Sequence, residues 1–301
     1  MLLNLRIIFM LAMLATPLLT QASVRVFACE PEWAALAHEL GGDAVTITSA
    51  TNALQDPHHI QARPSLIARL RRADLLVCTG AQLEIGWLPV LMHRAHNPRV
   101  QPGKPGYLLV ANHLLLREKP ATLDRSQGDV HPAGNPHVQL DPRNILRAAQ
   151  VLDEHLIALD GGNAAAYRKR LQGFQRRWQA AMADWDKRAA NLRGQSVVVH
   201  HKGWIYLLDW LGMREAGALE PIPGLPPTVA HLANLKQQLA DQHPLAIIRA
   251  SFQDPQPSEW LSRQTRIPAI ALPFTVGGAK GADTLFGLFN VILKRLEGGH
   301  K

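Results

Sequence analysis

Along this chain the apolar residues fall into short β-like runs that alternate with longer segments of helical period. In the first half, Val24–Ala28, Val45–Ser49, Leu75–Cys78 and Leu108–Ala111 read as strands. Helices are predicted over Glu32–Leu40, from Pro64 to about Arg72, and from Asp141 to Leu159, the last with Asp141 as N-cap and Pro142 at the first helical position. The second half repeats the alternation. Its strands are Val197–Val199, Leu245–Arg249 and Ala269–Leu272. Its helices are Gly203–Leu211, a segment capped by Thr228 that runs to about Gln242, Glu259–Thr265 and Asp283–Leu296. Strands that alternate with helices imply parallel sheets covered by helices, so the expected class is α/β.

Between the halves lies the longest periodic segment. Tyr167, Leu171, Phe174, Trp178, Ala181 and Trp185 recur at spacings of four and three, behind a candidate N-cap at Asn163 and ahead of a stop at Gly194. The helix covers about 28 residues, or roughly 40 Å at 1.5 Å per residue. That is too long for one small lobe and too apolar for a free linker, so a rigid helix packed against both lobes is expected. The remaining tryptophans, Trp33, Trp87, Trp204, Trp210 and Trp260, are read as core or lobe-packing residues.

Arg6 followed by the apolar run Ile7 to Leu19, with small residues at Ala22 and Ser23, reads as a secretory signal peptide over residues 1–22. The run is short for a membrane span, and no later stretch is long and apolar enough to be one. No cysteine sits at the cleavage region, which argues against a lipid anchor there. About 280 residues remain, more than one typical core, so two lobes are expected. The net charge of +8 becomes +7 once Arg6 is removed with the peptide. The basic residues are scattered rather than gathered with aromatics, which argues against nucleic acid as a partner. Cys29 and Cys78, the two cysteines of the chain, each end a β-like run. In an oxidising compartment such a pair is expected to form a disulfide, with two buried thiols as the alternative.

Three stretches carry candidate chemistry. The first is Gln55-Asp56-Pro57-His58-His59-Ile60-Gln61-Ala62-Arg63-Pro64-Ser65. The second runs from Gly128 through His131, Gly134-Asn135-Pro136-His137-Val138 and Leu140 to Asp141-Pro142. The third is Val197-Val198-Val199-His200-His201-Lys202-Gly203-Trp204-Ile205-Tyr206. Each sets histidine beside a proline turn or at a strand end, where the backbone restricts its rotamers in advance. In parallel sheets ligands bind beyond the carboxyl ends of strands, where His201 falls. Solvated or structural histidines are the alternative for any one stretch.

Together the three stretches resemble the zinc- and manganese-type solute-binding proteins of bacterial ABC importers. The resemblance rests on Pro57-His58 with Arg63-Pro64-Ser65, on Gly134-Asn135-Pro136-His137-Val138 with Leu140-Asp141-Pro142, and on His201 with Trp204 and Tyr206. It covers essentially the whole mature chain. It implies two α/β lobes, residues 23–160 and 194–301, each a parallel β-sheet flanked by helices. One spine helix, residues 161–193, joins them, and the metal lies in the inter-lobe cleft. It further implies a periplasmic monomer that does not span the membrane and hands its metal to a permease there. Carried over, the metal ligands are His58, His137 and His201, with His59 and His200 as neighbours that point the other way in an extended segment. His131 lies in the loop ahead of His137, where some relatives carry histidines that gather metal. The family commonly places an aspartate after the last strand. Here that loop reads Ala271-Leu272-Pro273-Phe274-Thr275-Val276-Gly277-Gly278, so either Asp283 or Asp254 reaches the site or the metal keeps a water.

Three imidazoles make a borderline-soft nitrogen site that suits Zn2+, and manganese is disfavoured because it prefers oxygen. Three histidines with an open water also describe a zinc hydrolase. Against an enzyme stand the lack of a His-Glu-x-x-His motif and of a carboxylate spaced as a general base. Glu220, beside the prolines, is read as positioning a turn. A metal-dependent adhesin or chaperone on the same fold is a third reading.

Overall fold

The computed structural model describes residues 23–120, 128–129 and 131–298 of the 301-residue chain. The expected signal peptide lies outside the described residues. Two four-stranded parallel sheets organise the rest. The first has the order β2-β1-β3-β4, with β1 Val24–Ala28, β2 Val45–Ser49, β3 Leu75–Cys78 and β4 Tyr107–Leu109. The second has the order β6-β5-β7-β8, with β5 Ser196–Val199, β6 Arg214–Ala218, β7 Ala246–Ala250 and β8 Ala269–Leu272. Both sheets reverse their strand order at the first strand of the set, which opens a crevice at its carboxyl end.

Helices α1 Pro31–Gly41, α2 Pro64–Arg72, α3 Leu88–Ala95 and α4 Pro142–Leu159 accompany the first sheet. Helices α6 Ile205–Leu211, α7 Val229–Gln238, α8 Pro255–Thr265 and α9 Leu285–Gly298 accompany the second. Proline near the start and a side-chain cap recur as start signals. Asp141 accepts from Arg143 N at 2.8 Å ahead of Pro142, and Asp254 accepts from Gln256 N at 3.0 Å ahead of Pro255. Two elements escape the apolar pattern. Strand β6 is an edge strand with Arg214, Glu215 and Gly217 in its run and one buried residue, Ala218, so no alternation betrays it. Helix α3 is only eight residues long, with a proline at its second position. The fourth strand also ends earlier than expected, because the chain turns into a 3-10 helix at Val110–His113.

Between the sheets runs α5, Ala164–Arg188, a 25-residue helix extended by 3-10 turns at Gly161–Asn163 and Ala189–Leu192. Asn163 does not cap it. Its amide donates to Asp160 Oδ2 at 2.7 Å, the same oxygen that accepts from the Tyr167 hydroxyl. Tyr167, Phe174, Trp178 and Trp185 are all buried. Phe174 stacks on Trp178 at 5.2 Å, and Trp178 meets Trp185 edge-on at 5.1 Å. Phe286 and Phe289 of α9 lie against Trp178 at 4.8 and 5.6 Å. The indole nitrogens bolt the helix in both directions. Trp178 Nε1 donates to Pro142 O at the start of α4, and Trp185 Nε1 donates to Asn290 Oδ1 in α9, each at 2.8 Å. One apolar core therefore runs through both sheets.

Cys29 and Cys78 are joined in a disulfide, with Cα atoms 4.8 Å apart. The bond ties the carboxyl ends of β1 and β3 together at the crevice of the first sheet. Among the described residues no helix is long and apolar enough to cross a membrane. Trp178→Ala is expected to cost about 3–5 kcal/mol, since it removes a fully buried indole and its hydrogen bond to the Pro142 carbonyl. A melting curve that matches the parent protein would show instead that the spine is not part of the core.

Candidate metal centre

All three histidine stretches end at the same crevice. His58 lies on the loop after β2, His137 just before α4, and His201 two residues past β5. Their imidazoles offer ligand nitrogens within 4.8 Å of one another. The ring centroids are 5.3 Å apart for His58 and His137, 5.8 Å for His58 and His201, and 5.6 Å for His137 and His201. They line a cavity of about 140 Å³ together with Asp56, Asp129, Glu220 and Phe274.

Each ring is held by its local sequence. Asp56 Oδ1 accepts from both the backbone N–H and Nδ1 of His58, at 3.0 and 2.7 Å, a turn in which the aspartate sets the ring two residues on. Trp87 Nε1 donates to Pro57 O at 2.8 Å and anchors that turn from beneath. His137 N donates to Asn135 Oδ1 at 3.1 Å. The Tyr206 hydroxyl donates to Asn135 O at 2.7 Å and accepts from Arg117 N at 3.0 Å, so the third motif positions the second. Gly203 is required by close approach, because a Cβ there would meet His137 Cδ2 and Phe274 Cζ at 2.9 Å. Glu220 Oε2 accepts from His201 Nδ1 at 2.7 Å and from Gly224 N at 2.8 Å. It shapes the turn, as expected, and it also orients a cavity histidine.

These contacts fix the tautomers. A carboxylate accepts only from a protonated nitrogen, so Nδ1 carries the proton in His58 and His201 and Nε2 keeps its lone pair. His58 Nε2 is buried without a partner, as are both ring nitrogens of His137. A buried polar atom left unpaired costs about 1–3 kcal/mol, so these nitrogens favour a hydrogen-bond donor or a Lewis acid in the cavity. Burial, reinforced by His58 and His201, pushes the His137 pKa well below its ordinary value and keeps that ring neutral. His201 moves the other way. Burial opposes its cation, but the hydrogen bond and charge of Glu220 outweigh burial and raise its pKa. Asp56 is partly buried, yet its hydrogen bonds to His58 and the charge of that ring hold it at about 2. A metal is the one charged group that all three rings can accept together without protonation.

The neighbouring histidines stand outside the trio of convergent nitrogens, although His59 also lines the cavity. His59 is exposed, its ring 6.1 Å from that of His58, and His200 is buried with Nε2 4.0 Å from Glu220 Oε1. The two aspartates considered for a fourth ligand are elsewhere. Asp254 caps α8 and Asp283 is exposed, and neither lines the cavity. In the loop after β8 the side chain that reaches the site is Phe274, edge-on to His137 at 5.0 Å. Two orienting carboxylates, Asp56 and Glu220, were not legible as such in the sequence. Asp56 had a local signal, an aspartate two residues before a histidine with proline between. Glu220 is 19 residues from His201 and had none.

The Phe274 loop is pinned to the first lobe. Thr275 Oγ1 donates to Glu32 Oε2 in α1, and Gln139 Nε2 donates to Phe274 O at 3.3 Å. Glu32 belongs to a buried group of carboxylic acids with Glu30 and Glu84. Burial raises the Glu32 and Glu84 pKa values to about 7 and that of Glu30 well above its ordinary value.

A family model for the periplasmic component A of the zinc-uptake complex, ZnuA, matches residues 26–299. The chain belongs to this family. Relatives of the ZnuA type differ in the metal of their names. The zinc-binding lipoprotein AdcA of Streptococcus pneumoniae is 22% identical over 209 residues, covering 66% of this chain and 39% of that protein. The chain thus spans well under half the length of AdcA. The manganese ABC transporter substrate-binding lipoprotein PsaA of Streptococcus anginosus is 22% identical, with 92% of this chain and 89% of PsaA covered. The iron ABC transporter substrate-binding lipoprotein MtsA of Streptococcus pyogenes serotype M1 is 23% identical, with 86% and 83% covered. A crystal structure of ZnuA superposes with a TM-score of 0.76 at 18% identity, covering 93% of this chain and all of that one, which is a likeness of fold. Metal-binding substrate-binding proteins of ABC importers are the family to which the two-sheet architecture and the long helix belong.

Glu220→Gln is expected to weaken metal binding about 10–100-fold, the usual cost of losing the partner that orients a ligating imidazole. It should also lower the pH at which His201 takes up a proton, because the raising contact is gone. Chelator competition from acid to alkaline pH measures both. The Glu32 site gives a separate pH signature. Its folded pKa of about 7 lies above the ordinary 4.5, so between those values the folded state holds a proton that the unfolded chain has lost. Its contribution to stability is thus lost as pH rises through that window. Glu32→Gln stays neutral throughout, so its melting temperature should gain on the parent's from about pH 5 to about pH 8 in metal-free protein. Parallel melting curves over that range would refute a protonated Glu32.

Proposed function

We propose that this protein captures Zn2+ in the cleft between its two sheets with His58, His137 and His201, and delivers it to an ABC permease from outside the cytoplasm. The observation that carries the reading is three convergent imidazoles, two of them oriented by carboxylates through Nδ1. Nitrogen donors of this kind favour zinc over manganese, and the loop after β8 brings the aromatic Phe274 to the cavity rather than an acid. The relatives' names divide among zinc, manganese and iron, so the choice of metal rests on the donor set. Membership of the importer family supports a permease as partner and a carrier rather than a catalyst. The orienting carboxylates are committed to the histidines and are not free to act as a general base.

Capture and release follow from the same groups. His137 is already neutral under mildly acidic conditions, so the metal displaces no proton there. His201 is the ring whose proton competes, and its pKa is raised. Affinity should therefore begin to fall with acidification above the ordinary imidazole value of 6.5. Replacing His58, His137 or His201 by alanine should each lower zinc affinity by more than about 100-fold, beyond the loss from an orienting partner. His59→Ala should leave it near the parent value. Competition with a chromogenic chelator reads all four, and parent-like affinity in His137→Ala would sink the site.

A further inference from the structure

Three imidazoles leave one position of a tetrahedral zinc to be filled. On the side of the second sheet the cavity is lined by Phe252, Gln253 and Phe274, and the Phe274 ring is buried against His137. Asp56 and Glu220 face the cavity but spend an oxygen on His58 Nδ1 and on His201 Nδ1. Just outside the residues that line the cavity, behind His58, stands His131. Its ring centroid lies 5.4 Å from that of His58, nearer than the ring of His201 at 5.8 Å. Its Nε2 is buried with no partner, in the same state as His58 Nε2 and the nitrogens of His137.

The backbone builds this approach. Gly134 N donates to His131 O at 3.0 Å, closing a tight turn between His131 and the Asn135-Pro136-His137 segment. Gly134 has φ +118°, and a Cβ there would meet Arg117 O at 2.6 Å and Leu116 Cβ at 2.8 Å. On the far side, Asp129 N donates to Pro223 O at 2.9 Å, which ties the same segment to the turn that carries Glu220. His131 and Asp129 are therefore each fixed by a backbone contact beside the cleft. His131 stands outside the trio whose ligand nitrogens lie within 4.8 Å, so it is the last ring to engage rather than part of the preformed set.

We propose that His131 is the fourth ligand of the cleft metal and that the resulting all-imidazole set is what selects zinc over manganese. The inference rests on the proposed function and deepens it. Four nitrogens with no anionic oxygen suit zinc, nickel or copper and give manganese none of the oxygen donors it prefers. Where His131 is absent, the fourth place falls to water or to Asp129, and selectivity should narrow.

The test is zinc-edge X-ray absorption on the zinc-loaded full chain, with parallel zinc and manganese titrations. The parent protein is expected to show four imidazoles. His131→Ala should show three imidazoles and one oxygen, a loss of zinc affinity of about tenfold or more, and unchanged manganese affinity. Metal-free melting should be unaltered in that variant. Three imidazoles in the parent would overturn the proposal without any variant. So would an unchanged spectrum in His131→Ala, or loss of the fourth ligand in Asp129→Asn with the His131 contribution intact. A parent protein that binds no zinc, or a His137→Ala protein that binds it as the parent does, would overturn the proposed function and this assignment with it.

Discussion

The aromatic seam along α5 is the constraint on which the cleft depends. Phe174, Trp178 and Trp185 lie on one face of the helix, and α9 answers with Phe286 and Phe289. On the other side Trp178 is hydrogen-bonded to the start of α4. Helix α4 begins five residues after His137, so the seam and the cavity share a short lever. Because one apolar core passes through both sheets, separating the lobes would expose several fully buried aromatic side chains at once. Movement that admits or releases an ion is therefore better sought in the loops that carry the ligands than in a hinge through the spine.

Given that frame, the electrostatics of the cavity divide labour between rings. His137 sits against Phe274 and Gly203 with no hydrogen-bond partner and stays neutral through burial. His201 is tied to Glu220 and holds a proton more readily than an ordinary imidazole. One ring is thus always ready for metal, and another makes occupancy sensitive to pH. A fully symmetric trio would do one or the other. Asp56 and Glu220 accept from Nδ1 of His58 and His201, so in the proposed site they would orient Nε2 and offset the charge of a cation.

Much of this was legible in the sequence. The period of Tyr167 to Trp185 identified the spine and its buried face, and Val24–Ala28 with Leu75–Cys78 located the central strands to the residue. Loop motifs brought His58, His137 and His201 forward because proline and glycine fix backbone direction locally. What was missed depends on contacts between distant segments. Edge strand β6 is defined by its ladder with β5 rather than by an apolar pattern of its own. The role of Glu220 arises only when β5 and β6 lie side by side and deliver their following loops to one place. Asn163 looked like a cap and is not one: its backbone lacks the extended cap conformation, and its amide group donates to Asp160.

Phe274 shows why the absence of an acid in the last loop is a structural choice rather than a loss. The loop still needs an anchor to the first lobe, and it has one in the bond from Thr275 to Glu32. That acid is buried and carries a pKa of about 7, so near neutrality it contributes about half the negative charge of an exposed glutamate. The anchor is thus separated from the coordination sphere. In a site where the last loop supplies an oxygen ligand, one side chain must both bind metal and join the lobes. Here Thr275 joins them while Phe274 packs on His137, and in the proposed site that leaves metal recognition to nitrogen. Apolar shielding strengthens the interaction of imidazole with a cation by lowering the local dielectric, and it raises the cost of leaving those rings unpaired. Both effects favour the occupied state, and neither requires the lobes to move.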